Sequence, residues 1–168
     1  MIMEQGIINT EKAFAIASEP YKTMINFVKL SPTAQAPVQS SDQAAGYDLH
    51  ADLEGKDKIL IHPGEVCKIS TGIAIALHPY TFGAIYARSG LATKQGLAPA
   101  NKVGVIDADY RGPIIVAMRN ESDTPQCITD GERIAQLVIQ PYIPCKFNEV
   151  ESIGTTARGA GGFGSTGK

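Results

Sequence analysis

Short apolar runs, each cut off by Pro, Gly, Asp or Asn, constrain this chain more than any other feature. They read TMINFVKL at 23–30, IAIALH at 73–78, FGAIYA at 82–87, PIIVAMR at 113–119 and RIAQLVIQ at 133–140. Two more lie at 58–62 and 65–70, and weaker ones at 47–51 and 143–148. IAIALH and FGAIYA alternate with a period of two, as half-buried strands do, while IIVAM is a more continuous core run. No long helix is convincing; the one helical candidate is a short stretch near Glu11 to Ser18. Many short strands at close spacing predict an all-β barrel or jelly roll.

The organisation that follows is simple. Residues 1–22 are an N-terminal extension, 23–153 a β-barrel domain and 154–168 a glycine-rich C-terminal tail. The Pro-containing stretch 31–44 (SPTAQAPVQSSDQA) is a connection inside the barrel. At 168 residues one domain is expected, and it is large enough to bury its own core.

Composition narrows the function classes. Hydrophobic residues make up 43% and charged residues 19%, as in ordinary globular chains. A net charge of −2 gives no general electrostatic case for binding a nucleic-acid polymer. Cys67, Cys127 and Cys145 are odd in number, widely spaced and set in or beside apolar runs, so they read as plain buried thiols in a reducing compartment. His50, His62 and His78 are equally scattered, which argues against a protein-ligated zinc site. The N-terminus is a poor signal peptide and no run is long enough to span a bilayer. The expected location is the cytoplasm, or the nucleus in a host that has one.

Five segments interrupt the β texture with polar residues. In AGYDL (45–49), Asp48 is either a turn cap or an acid held for a metal. In ARSGLA (87–92), Arg88, Ser89 and Gly90 offer a guanidinium, a hydroxyl and free amides, and Leu91-Ala92 starts a helical turn. An exposed, solvated arginine beside a plain turn is the alternative there. GVIDADYRG (104–112) reads as a hairpin with Asp107, Asp109, Tyr110 and Arg111 at its head. Aspartates at a tip can serve turn geometry alone, but a large tyrosine ring needs a surface to cover.

In GERIAQLVI (131–139), alternation sets Ile134 and Gln136 on one strand face and Arg133, Ala135 and Leu137 on the other. Arg133 would need a partner if buried. The tail RGAGGFGSTG (158–167) cannot build a core and should stay mobile until a ligand orders it. A GxxxxGK spelling occurs at Gly162 to Lys168. A P-loop needs a helix to follow it, so this match is set aside.

In this order and spacing the five segments closely resemble the motifs of the trimeric dUTPase family, from about residue 23 to 167. GVIDADYRG and RGAGGFGSTG are its most specific parts. The resemblance implies a jelly-roll (β-clip) homotrimer with three active sites shared between subunits and a flexible C-terminal lid. It implies Mg²⁺-assisted hydrolysis of dUTP to dUMP and pyrophosphate, which limits uracil in DNA and supplies dUMP for dTMP synthesis. Carried over, Asp48 holds Mg²⁺ through a water, while Arg88, Ser89, Gly90 and Gln136 grip the phosphates. Asp107 activates the water that attacks the α-phosphorus. Tyr110 lies under the deoxyribose, and the backbone of Asn101 to Val105, Gly104 included, pairs with the uracil edge. Arg158 contacts the γ-phosphate, Phe163 stacks on uracil, and Gly164, Ser165 and Thr166 wrap the phosphates.

Ala87 departs from the family pattern, which usually has Pro there, and residues 1–22 fall outside it. Two other readings compete. One is a module that binds dUTP without turnover. The other is a dCTP deaminase, for which no spare acid lies near the base-binding segment.

Overall fold

The computed structural model describes residues 24–162 and is nearly all β. Twelve strands run in chain order: β1 (Asn26–Lys29), β2 (Val38–Gln39), β3 (Tyr47–His50), β4 (Lys58–Ile61), β5 (Val66–Ser70) and β6 (Ile73–Ala76). They continue as β7 (Thr81–Ala87), β8 (Leu97–Pro99), β9 (Gly104–Ile106), β10 (Ile115–Asn120), β11 (Gln126–Thr129) and β12 (Arg133–Pro141). One five-residue π-type turn, Leu91–Gln95, separates β7 from β8.

Every ladder is antiparallel. The largest sheet has the order β2-β3-β12-β7-β9, and a second has β5-β10-β8. Two strand pairs, β1-β6 and β11-β4, complete the jelly-roll architecture. The chain changes sheet at nearly every turn, so most strands are short and the common core is assembled from many of them, while β1 and β2 stay exposed. Leu49, Ile61, Ile69, Ile73, Leu97, Ile114, Met118, Ile128 and Ile134 are all but fully buried there. Truncating any of these large apolar side chains to Ala would cost about 2–5 kcal/mol in transfer and cavity terms.

Five expectations need correction. The cysteines are not fully buried: Cys67 and Cys127 are half-buried and Cys145 is exposed. IIVAM is no continuous core run, because burial alternates along β10 and Ile115 is exposed. No strand forms at 143–148, because beyond Pro141 the chain runs on with no strand among the described residues to pair with. The segment 104–112 is not a hairpin. β9 pairs with β7, whereas β10 pairs with β5 and β8, so residues 107–114 form a crossover between two sheets. The alternation expected at 133–137 is also broken, with consequences described below. The short helix expected near Glu11 to Ser18 lies outside the described residues, as do Phe163, Gly164, Ser165 and Thr166. No helix among the described residues is long and apolar enough to cross a membrane.

A buried acid holds one corner of the barrel together. Asp52, 3% exposed, accepts hydrogen bonds from Ser31 Oγ and from Thr33 Oγ1 at 2.7 Å. Gly72 makes this possible: its φ is +66°, and a Cβ there would collide with Asp52 Oδ2. Burial alone would raise the Asp52 pKa, but donors from Ser31, Thr33 and the Glu54 backbone hold it below the usual carboxylate value.

Candidate functional site

Asp48 stands in the middle of β3, so it is no turn cap. Across the large sheet it is in register with Gln136 on β12, and Gln136 with Tyr86 on β7. Cross-strand partners share a face, which places Asp48, Gln136 and Tyr86 in one row. Asp48 is 2% exposed, and three donors converge on it. Ser40 Oγ lies 2.8 Å from Oδ2, Arg88 Nε 2.9 Å from Oδ1 and Arg133 Nη1 3.1 Å from Oδ2. Burial works to raise the Asp48 pKa, yet Ser40 and the two arginines outweigh it and keep the carboxyl ionised below its ordinary range.

Arg133 reaches this cluster because β12 is irregular. Arg133 pairs with His50 and Ala135 with Leu49, which leaves Ile134 as an extra residue in the strand. The bulge turns Ile134 and Ala135 both into the core, where they are fully buried, and brings Arg133 to the face of Asp48 and Gln136. Strict alternation had set Arg133 and Gln136 on opposite faces. Ser40 and Arg133 are thus site residues that periodicity missed, and Arg133 pairs with Asp48 although half of its side chain is exposed. His50 Nδ1 is buried beside this cluster without a partner, and burial pushes the imidazole pKa down, with Asp48 opposing and the arginines reinforcing that shift.

Arg88 follows the last residue of β7 and is not a solvated surface arginine. Ala87 closes that strand in register with Ala135, so the ladder fixes the backbone that a proline ring would fix elsewhere. Ser89 and Gly90 are exposed at the start of the helical turn, whose first amides have no preceding turn to bond. Arg88, Ser89, Gly90, Gln136 and Asp48 therefore come together at one end of β7.

The other expected residues lie elsewhere. Gly104 packs on Ile85, with the Asn101 side-chain amide beside it, and Val105 is exposed. Asp107 is exposed just after Ile106, which pairs with Gly83. Gly83 precedes Arg88 by five residues of extended strand, which is ~17 Å. Tyr110 folds back on its own turn: its N–H donates to the Asp107 carbonyl at 3.1 Å and its Oη to the Pro113 carbonyl at 3.0 Å. A Cβ on Gly112 would collide with that hydroxyl, so glycine is what lets the ring lie flat there. Arg111 Nη1 caps the turn through the Ala108 carbonyl at 2.7 Å.

Arg158 is also exposed, and its Nε donates to the Gly161 carbonyl at 2.9 Å, within the tail itself. The candidate residues thus form three groups in one chain, not one.

The donor set bears on metal binding. Among the described residues no cluster of three or more His, Cys, Asp or Glu side chains could cage an ion. A carboxylate has about four acceptor positions, and three of Asp48's are taken, so about one remains for a water O–H. That suits a hydrated ion held through its water, the mode Mg²⁺ favours beside phosphates.

Comparison with known proteins fits this geometry. The dUTPase family profile matches residues 33–167. A deoxyuridine 5'-triphosphate nucleotidohydrolase of Desulfitobacterium hafniense is 46% identical over 147 residues, covering 87% of this chain and 96% of that protein. One from Coxiella burnetii is 45% identical over 133 residues, covering 79% and 86%. The solved dUTPase of Staphylococcus bacteriophage 80alpha with dUPNHPP superposes with a TM-score of 0.77 at 27% identity, covering 86% of this chain and 99% of that one. The all-β architecture, the Asp48 cluster and these likenesses together place the chain in the dUTPase family.

Proposed function

We infer that this protein hydrolyses dUTP to dUMP and pyrophosphate, in the cytoplasm, limiting uracil entry into DNA and supplying dUMP for dTMP synthesis. One observation carries the reading: a buried carboxylate holds Arg88 and Arg133 beside Gln136, the helical turn and its exposed Ser89 and Gly90. A guanidinium held in place by a buried carboxylate, an amide and free backbone N–H groups on one ledge suit a polyphosphate.

In this reading Arg88, Ser89, Gly90 and Gln136 bind the triphosphate and neutralise charge that would repel a nucleophile. Mg²⁺, held through a water on Asp48, would add Lewis-acid neutralisation of the phosphate oxygens. Asp107 accepts the proton of the water that attacks the α-phosphorus. The backbone from Asn101 to Val105 presents donors and acceptors to uracil. Cytosine, with an amino group where uracil has a carbonyl, would leave buried groups unpaired there. Tyr110, flat against its turn, excludes a ribose 2′-OH by contact with the ring.

The separation of Asp107 from Arg88 along β7 supports a shared site. A nucleotide bound on the ledge of one subunit would be completed by residues 101–112 of another. Apolar surface points the same way: Phe147 is 100% and Ile153 97% exposed on the chain beyond β12, and Val105, Ile115 and Val66 are exposed on the barrel. Such surface calls for coverage, and a homotrimer provides it. Arg158, Phe163, Gly164, Ser165 and Thr166 would then close over substrate as a lid and exclude water from the reacting phosphate.

The test is pyrophosphate release from dUTP with Mg²⁺, run beside Asp107→Asn. The wild type should turn over, while the variant should fold, bind nucleotide and lose roughly 10²–10⁴-fold in rate. Binding of dUTP without pyrophosphate release would favour the non-catalytic module, and ammonia release from dCTP the deaminase.

A further inference from the structure

Arg133 has no direct step in the proposed reaction, yet it is tied to Arg88 twice. Its Nη1 donates to Asp48 Oδ2 at 3.1 Å, and its backbone carbonyl accepts from Arg88 Nη1 at 3.4 Å. Ser40 Oγ occupies the same Oδ2 at 2.8 Å, while Arg88 Nε takes Oδ1 at 2.9 Å. The arrangement is asymmetric: one oxygen serves Ser40 and Arg133, and the other serves Arg88.

That asymmetry has a chemical consequence. An arginine left alone with a carboxylate prefers the two-pronged fork that spends its N–H groups on both oxygens. With Oδ2 already occupied, Arg88 is held to a single contact through Nε. Among the described residues its remaining nitrogen, Nη2, makes no hydrogen bond, so its N–H groups stay available as donors for an anion.

We propose that Arg133 is a positioning residue that, with Ser40, blocks Asp48 Oδ2 and so keeps Arg88 from being consumed by its own ion pair, leaving it free to grip a triphosphate. This rests on the dUTP reading above and assigns that reading a residue beyond the phosphate ligands themselves. The bulge at Ile134 is what delivers Arg133, so the irregularity of β12 belongs to substrate recognition as well as to packing.

The experiment is a binding cycle, read by calorimetry without metal. The probes are dUpNHpp, the imido analogue of dUTP, and dUMP, whose single phosphate asks less of Arg88. Arg133→Ala should weaken dUpNHpp roughly tenfold while dUMP changes by less than about twofold. In an Arg88→Ala background the same substitution should cause almost no further loss. Arg133→Lys, which still occupies Oδ2 with a cation, should recover much of the affinity.

A loss that multiplies with that of Arg88→Ala would make Arg133 an independent phosphate ligand and overturn the proposal. An equal loss for dUMP, or a lowered Tm accompanied by loss of both ligands, would make its role merely structural and overturn it too. If Arg133→Ala is unstable, Arg133→Met keeps the aliphatic packing and serves the same cycle. A wild type that binds dUpNHpp and releases pyrophosphate from dUTP, with Arg133→Ala behaving like it, sinks this inference alone. A wild type that does neither sinks the dUTP reading as well.

Discussion

The ledge around Asp48 and the turn around Asp107 are built on opposite terms. On the ledge the buried acid gathers donors from three separate strands' ends: Ser40 after β2, Arg88 after β7 and Arg133 at the bulge of β12 meet on Asp48. At the turn, Tyr110 and Arg111 bond only to neighbours within three residues, and Asp107 is exposed. The tail is more local still, with Arg158 bonded to Gly161. The ledge, which is the phosphate end of the proposed reaction, is therefore preorganised within one chain, where low reorganisation favours charge stabilisation. The turn that carries the proposed base would be defined by a substrate or a second subunit.

Removing the tail should expose that contrast most sharply. Deletion of residues 157–168 should leave the barrel's melting temperature within a few degrees and lower kcat/KM for dUTP by roughly 10²-fold, because closure is lost and the ledge is not. A deletion that unfolds the barrel would show that the tail supports the fold. Full activity without it would remove the lid.

A smaller effect should appear in the rigid part. Asp52 carries a lowered pKa, so its stabilisation is complete above the ordinary value of 3.8 and disappears as pH falls through the depressed native value. Asp52→Asn should thus cost about 1–3 kcal/mol near neutral pH, and its stability should converge with the wild type's as the solution becomes more acid than that ordinary value. Urea unfolding across pH measures this. A gap that stays constant with pH would mean that the carboxylate charge is not what pins the 31–34 connection.

Much of this was legible in the sequence. Alternation in IAIALH and FGAIYA announced β6 and β7, and even the weak run at 47–51 contained β3 and its buried acid. What escaped has physical reasons. β8 (LAP) is too short to show a period and β11 (QCIT) both short and half polar, and they exist because β10 and β4 pair with them. The run at 143–148 has strand-like residues but no partner strand among the described residues, so local pattern misled there. The bulge at Ile134 adds one residue and reverses every face before it. No periodicity argument detects that, and it hid the role of Arg133. Ser40 sits in a polar connection with nothing local to mark it.

The central claim is that one chain holds only part of each site, and mixing two inactive variants tests it most directly. Arg88→Ala lacks the ledge and Asp107→Asn lacks the acid at the turn. The two variants are unfolded together in denaturant, refolded as a mixture and assayed for pyrophosphate release. Sites shared between copies should regain about a quarter of wild-type turnover, the fraction in which random pairing unites an intact Arg88 with an intact Asp107. A mixture as inactive as either variant alone would mean that Arg88 and Asp107 must come from the same chain, and would contradict the account.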